Sequence, residues 1–310
     1  MKSFSLIKKN QNLVFSNLFD HFFSNIFKFS LIITVISLVL ILLYVFWNGL
    51  QLFDKVSPID FFTKINWEPV GRKEFGILPM IISSFYITLV SVIISAPIGI
   101  CCAIYAVELA NDSLQKLIQV SVQILAGTPS VIFGLLGLSL ITPWIQTISP
   151  VPGLSILAAI IILSIMILPT IISISQDAIQ SVPKEFKQAS LALGATHYQT
   201  IFKVILPIAK SGIVTAIVLA ISRAFGEAMA VKMVIGNIQT MPNFDSSHWF
   251  GLLSPARTLT TNIIGDIEYA REGSHLQALF ATGTILFLVI MIVNYFAYLV
   301  RYSKKPNLLK

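Results

Sequence analysis

The chain has 310 residues, of which 55% are hydrophobic and 11% charged, against about 25% charged residues in soluble globular proteins. Its mean hydropathy of +0.84 excludes a mostly wetted surface, so the chain is read as an integral membrane protein. The net charge of +7 then reflects basic flanks of membrane helices rather than nucleic-acid binding.

Residues 1–28 place Phe15, Leu18, Phe19, Phe22, Ile26 and Phe27 at helical spacing, with Asn17, Asp20, His21, Ser24, Asn25 and Lys28 on the other face. This pattern predicts a cytoplasmic helix lying in the membrane interface, with a partner-docking helix as the alternative. The apolar run that follows is too long for a cleavable signal. It opens a series of segments near the ~20 residues a spanning helix needs: 29–49, 77–107, 117–145, 154–176, 208–235 and 275–300. The expected fold class is therefore all-α. It is a polytopic membrane protein with one six-helix domain over 29–300 and a cytoplasmic tail at 301–310.

The second and third segments are long enough to tilt or break. Ser83, Ser84 and Thr88 in the second are small hydroxyl residues suited to helix packing or to a polar pathway. Cys101 and Cys102 are adjacent in the same segment and read as packing residues, with no metal-ligand spacing. Glu108 reads as a helix-end charge. The third segment holds "AGTPSV", where Gly127 permits a break and Pro129 removes a helix hydrogen bond. The freed backbone, with the hydroxyls of Thr128 and Ser130, would suit an anion. A kink satisfied by back-bonding is an equal alternative. Thr170 in the fourth segment is a weaker polar candidate.

Most of the 21 Lys and Arg fall on one side if the N-terminus is cytoplasmic, which predicts both termini inside. Residues 177–207 and the C-terminus carry that bias. The loops at 50–76 and 237–274 then lie outside. Both mix aromatics, prolines and polar residues, as ordered or partner-receiving loops do.

The cytoplasmic loop 177–207 reads "DAIQSVPKEFKQASLALGATHYQTIFKVILP". Phe186, Ala189 and Leu193 follow a helical stripe, and Gly194 permits a sharp turn before a second short helix ending at Pro207. A helix–Gly–helix knob of this kind inserts into a groove on another protein or packs on its own bundle. His197, within it, reads as interfacial.

"QASLALG" followed by "VILP" resembles the EAA signature of ABC-importer permeases, on Gln188, Ala189, Ser190, Gly194, Val204, Leu206 and Pro207. Gln188 and Ser190 stand where Glu and Ala are usual, and Val204 stands for Ile. The stretches "EFGILPMIISSFYITL", "APIGICCAIYAVELA", "LAGTPSVIFGLLGL", "SIMILPTI", "LALGATHYQTI" and "SRAFGEAMAVKMVIGN" resemble the phosphate-importer permeases, and "GEAMAVKMVIGN" the PstC-type subunit. The resemblance covers most of residues 74–237. It implies the type I ABC-importer (MetI-like) architecture and a coupling helix in the 177–207 loop that docks on an ATPase. It implies a PstA-type permease subunit, two PstB-type ATPase subunits and a PstS-type phosphate-binding protein as partners. It also implies a multi-pass protein of the bacterial cytoplasmic (inner) membrane. ATP and Mg would be used by the partner, with no cofactor bound by this chain.

The fifth segment carries Arg223 and Glu227, four residues apart on one face of a continuous helix and near the midplane. Charges there are costly unless paired or hydrated and usually mark a pathway. One reading is a structural ion pair. The other makes Arg223 a transient phosphate contact through its planar donors, with Glu227 as resting counter-ion. Ser222 joins them as a weaker candidate. Lys232, on the opposite face, snorkels or meets a partner. His275, opening the sixth segment, reads as interfacial.

No G-x-x-x-x-G-K-[ST], metal cluster or catalytic triad is present, so no ATP hydrolysis by this chain is expected. The function expected is the permease subunit of an ATP-driven phosphate importer, forming half of a pore. The alternatives are a sulfate or molybdate importer permease and a self-sufficient secondary transporter.

Overall fold

The structure is a computed structural model that describes residues 2–149, 152–243, 251–270 and 272–302. Of residues 2–21, 297 and 300–302 it describes the backbone alone. Among the described residues, six helical stretches are long and apolar enough to cross a membrane.

Helix α1 runs unbroken over Lys2–Leu50. The amphipathic N-terminal segment is thus continuous with the first span, although Phe15, Leu18, Phe19, Asp20 and His21 lie outside the residues whose side chains are described. A short helix α2 (Pro58–Thr63) and a hairpin of β1 (Trp67–Glu68) and β2 (Glu74–Phe75) follow, with Trp67 opposite Phe75. Helix α3 (Leu78–Ile104) continues through a π-turn to Leu109.

The third span departs from expectation. The segment 117–145 is not one helix. Helix α4 (Asp112–Gly127) stops at the Thr128–Pro129 step, and α5 (Ser130–Leu136) restarts there. A π-turn over Gly137–Ile141 then leads into α6 (Thr142–Ile148). The spanning stretch is Ser130–Ile148. The physical reason is Pro129, which cannot donate to the helix and pushes Thr128 to extended backbone (φ −72°, ψ 127°). The second π-turn precedes Pro143, whose ring would otherwise meet the preceding turn.

Helix α7 (Ile156–Gln180) is the axis of the bundle. Its most apolar stretch is the most buried of the six spans, and Pro169 lies inside it. Lipid tails are as apolar as leucine, so close packing and hydrogen bonds hold such helices together. The α3–α7 seam illustrates this. Ser91 Oγ donates to the Ile160 carbonyl (3.3 Å), Ser95 Oγ to the Ser164 carbonyl (2.9 Å), and Ser164 Oγ returns to the Ser91 carbonyl (3.4 Å). A Cβ at Gly99 would stand 2.7 Å from Ile171, so the approach needs glycine.

Helix α8 (Lys184–Ala192) follows in the loop, then α9 (His197–Thr200) and a π-turn over Ile201–Ile205. The fifth span differs from the predicted 208–235. Helix α10 (Leu206–Gly226) ends at Gly226, and a separate α11 (Met229–Val234) begins after an extended Glu227 (φ −73°, ψ 124°). Two further helices follow among the described residues, α12 (Leu259–Asp266) and α13 (Ser274–Tyr302), and α13 packs along α1. A second core of Leu52, Phe61, Trp67, Phe75, Met80 and Leu259 joins the loops at 50–76 and 237–274 to the bundle.

Candidate functional site

The interruption between α10 and α11 organises the interior. Arg223, in the last turn of α10, is exposed on the chain, and its Nη1 donates to Thr170 Oγ1 on α7 (2.9 Å). Its other guanidinium N–H groups make no hydrogen bond among the described residues. Ser222 Oγ donates to Asn294 Oδ1 on α13 (3.0 Å).

The i, i+4 pairing of Glu227 with Arg223 does not form among the described residues. That spacing brings side chains together only on a continuous helix, and the helix ends between them. Glu227 acts locally. Its Oε1 accepts from Ala230 N (3.3 Å), capping α11, and its carbonyl accepts from Thr260 Oγ1 (3.0 Å). Leu259 N, at the start of α12, donates to Ser84 Oγ (2.9 Å). Ser84, Thr88, Glu227, Thr258 and Thr260 thus line a seam closed to about 10 Å³, the lower limit for a single water.

Thr128 Oγ1 donates to the Ile124 carbonyl (2.8 Å), which is the back-bonded kink. Ser130 sits half-buried in the first turn of α5. Neither makes a hydrogen bond with Arg223 among the described residues. Helix α5 instead packs on α11, where a Cβ at Gly134 would meet Met233 and Ala230.

In the elbow, α8 has no buried residue. Leu193 is 89% exposed and Phe186 45%. Gly194 takes φ +83° with open space around its Cβ, and its N–H closes on the Leu191 carbonyl (3.0 Å). Thr196 and Gln199 form a capping box that starts α9. Inside the elbow, Lys187 Nζ pairs with Glu108 Oε2 (2.5 Å), His197 Nε2 meets the Glu108 carbonyl (3.1 Å), and Ser190 Oγ meets Thr200 Oγ1 (2.9 Å). Gln188 and Leu191 line a cavity of about 410 Å³ between the elbow and the inner ends of α3 and α7. Ala189 accepts from Leu193 N (3.1 Å) at the end of α8, and Pro207 stands in the first turn of α10.

At the end of the bundle away from the elbow, Asp266 is a hub. It accepts from Arg257 Nη2 and from Trp67 Nε1 (2.8 Å), and lies 3.3 Å from His275 Nε2. Burial pushes the Asp266 carboxyl up, but the Arg257 and Trp67 hydrogen bonds, the Arg257 charge and His275 together bring it below the usual carboxylate range. Lys232 Nζ donates to the Ile264 carbonyl in the last turn of α12 (3.2 Å).

Three roles escaped the sequence. Glu108, at the helix end as expected, also anchors the elbow, and His197 and His275 are each tied into a polar cluster. The Glu108 contacts with Lys187 and His197 span 79 and 89 residues, and Asp266 meets His275 across the turn between two helices, so periodicity within one helix signals none of them. Thr170 was visible as a hydroxyl in an apolar run but not as the partner of Arg223.

Residues 95–302 match the family described as binding-protein-dependent transport system inner membrane component. A probable ABC transporter permease protein, YqgH of Bacillus subtilis, is 42% identical over 275 residues, covering 85% of this chain and 86% of the relative. The phosphate transport system permease protein PstC of Mesorhizobium japonicum is 32% identical, covering 80% and 78%. Among solved structures, a bacterial alginate ABC transporter in complex with an alginate pentasaccharide-bound periplasmic protein aligns with TM-score 0.62 at 19% identity, over 89% of this chain and 94% of that one. An inward-facing MetNI methionine ABC transporter aligns with TM-score 0.54 at 19% identity, over 74% and 94%. These two structures support the MetI-like permease fold alone. The broken spans, the protruding elbow and the sequence match agree: this multi-pass membrane protein belongs to the inner membrane component family of binding-protein-dependent transport systems.

Proposed function

We propose that the chain is the permease subunit of an ATP-driven phosphate importer. It forms half of the translocation pore, with both termini in the cytoplasm of a bacterial cell and the loops at 50–76 and 237–274 facing outward. The observation that carries this reading is one chain holding both an exposed cytoplasmic elbow and an exposed guanidinium beside a broken span. The elbow, through Phe186, Gln188, Ala189, Ser190, Leu193 and Gly194, receives motion from a separate PstB-type ATPase. Pro207 begins the span that carries that motion to Arg223. ATP and Mg act on that partner, and this chain binds no cofactor.

Phosphate is favoured because PstC proteins are similar over most of the chain. Arg223 suits the ion, since a guanidinium donates in a planar fork and stays charged at any physiological pH. Ser222 and Thr170 hold the neighbouring helices in place. Thr128 and Ser130 flank the break in the third span, and Glu227 keeps the break in the fifth span open by capping α11. A PstA-type subunit completes the pore, and a PstS-type protein delivers phosphate from outside.

The test is uptake in proteoliposomes holding the chain with a PstB-type ATPase, a PstA-type permease and a PstS-type binding protein. ATP-dependent uptake of radiolabelled phosphate, not matched by sulfate or molybdate, is expected. Uptake without an ATPase subunit, or preference for sulfate, overturns the reading.

A further inference from the structure

The break after Gly226 gathers oxygen atoms and no cation. Ser84 and Thr88, one turn apart on α3, share a seam with Glu227 of the break and with Thr258 and Thr260 at the start of α12. The other residues around the seam are apolar, and none is Lys, Arg or His. Hydrogen bonds fasten the three elements to one another. Leu259 N donates to Ser84 Oγ (2.9 Å), Thr260 Oγ1 donates to the Glu227 carbonyl (3.0 Å), and Thr258 Oγ1 lies 3.0 Å from Thr260 Oγ1.

Two oxygens in the seam have no partner among the described residues. Thr88 is 2% exposed, yet its hydroxyl makes no hydrogen bond, not even to its own helix. Glu227 spends Oε1 on Ala230 N (3.3 Å), and its Oε2 makes neither a hydrogen bond nor an ion pair. The basic residues on either side point elsewhere, Arg223 to Thr170 and Lys232 to the Ile264 carbonyl. The carbonyl end of α10, which carries partial negative charge, stops at the same place. A carboxylate within a membrane bundle is costly without a counter-charge, and one backbone N–H offsets only part of it.

We infer that this seam binds one small monovalent cation of the size of sodium. Glu227 Oε2 and Thr88 Oγ1 are its first ligands, with the hydroxyls of Ser84, Thr258 and Thr260 around them. Broken membrane helices coordinate such ions through unwound backbone and helix carbonyl ends. The space of about 10 Å³ suits a single occupant no larger than water. One carboxylate matches one positive charge, whereas divalent ions draw on more ligand charge. Among the described residues no group of three His, Cys, Asp or Glu could hold a metal ion. The site stands on this geometry, and its role rests on the permease reading above. Leu163 lines the seam and Thr170 holds Arg223, on one face of α7 and about 10 Å apart along it. A cation at Glu227 therefore cancels the repulsion of an oxyanion at Arg223 without displacing the guanidinium.

The test measures thermal unfolding of the purified full chain in detergent, in sodium chloride and in choline chloride at equal ionic strength. Choline is too large for the seam, so Tm should rise saturably with sodium alone. Glu227→Gln should abolish the response. Thr88→Val, which keeps the side-chain shape, should raise the sodium concentration at half response at least about tenfold, as loss of a supporting partner does in metal sites. Phosphate uptake by the whole assembly should be several-fold faster in sodium than in choline. Equal Tm in the two salts, a sodium response unchanged in Thr88→Val, or uptake indifferent to sodium overturns the inference. A saturable, Glu227-dependent sodium response in an assembly that imports another oxyanion, or imports phosphate without ATP, supports the cation site while refuting the ATP-driven phosphate reading, so the two failures are distinguishable.

Discussion

Lys187, on the exposed elbow helix, is joined to Glu108 at the inner end of the second span, 79 residues earlier in the chain. The Glu108 side chain is 7% exposed and that of Lys187 34%. Together with the contact of His197 on the Glu108 carbonyl, this fixes the elbow to α3 as well as to the spans that flank it. A force applied to the elbow therefore reaches two parts of the bundle at once.

Breaking that tie should loosen coupling without dismantling the protein. Glu108→Gln is expected to lower ATP-driven uptake several-fold while ATPase binding persists. A double-mutant cycle with Lys187→Met should give a coupling of about 1–2 kcal/mol, since the pair is only partly shielded from solvent. Thermal unfolding of the purified chain measures the coupling energy, and vesicle uptake measures the functional loss.

The elbow turn depends on Gly194 at φ +83°. A residue with a Cβ costs about 1–2 kcal/mol in that left-handed region. No neighbour blocks the side chain, so the effect acts on the backbone alone. Gly194→Leu should shift the turn and separate ATP hydrolysis from transport, which shows as hydrolysis per phosphate imported rising several-fold.

Spans and elbow were legible in the sequence because they depend on local pattern. Apolar runs mark the spans, Gly194 marks the turn, and Pro129 marks the break in the third. The break after Gly226 was not legible. No proline announces it, and an i, i+4 argument for Arg223 and Glu227 presumes the continuous helix that is absent. What holds Glu227 is Thr260, from the far side of the outer loop. The Asp266 hub was equally hidden, since Trp67, Arg257 and His275 come from separate segments.

The hub makes a pH prediction. The Asp266 carboxyl is lowered in the fold, so its contribution is complete above its unfolded value of about 3.9 and is lost as pH falls through the lower folded value. Asp266→Asn should lower Tm at pH 7 but leave little difference from the native chain under strongly acid conditions. Thermal scans of both proteins across the acid range in detergent check this.

Thr170 orients Arg223 without replacing its charge. Thr170→Val should reduce uptake by less than about tenfold: a hydrogen bond to a charged group contributes about 1.5–3 kcal/mol, and on an exposed face water replaces most of it. Arg223→Lys should remain impaired because an ammonium does not offer the planar fork. Initial rates over a phosphate series separate loss of affinity from loss of turnover.

The central claim is that Arg223 serves the ion while the elbow serves the motor. Phosphate uptake and ATP hydrolysis measured together in vesicles holding the full assembly test it most directly, with native chain and Arg223→Ala compared. The account predicts that Arg223→Ala assembles and hydrolyses ATP but imports phosphate at least about tenfold more slowly, the effect of about 1.4 kcal/mol. Native uptake rates in the Arg223→Ala assembly would contradict it.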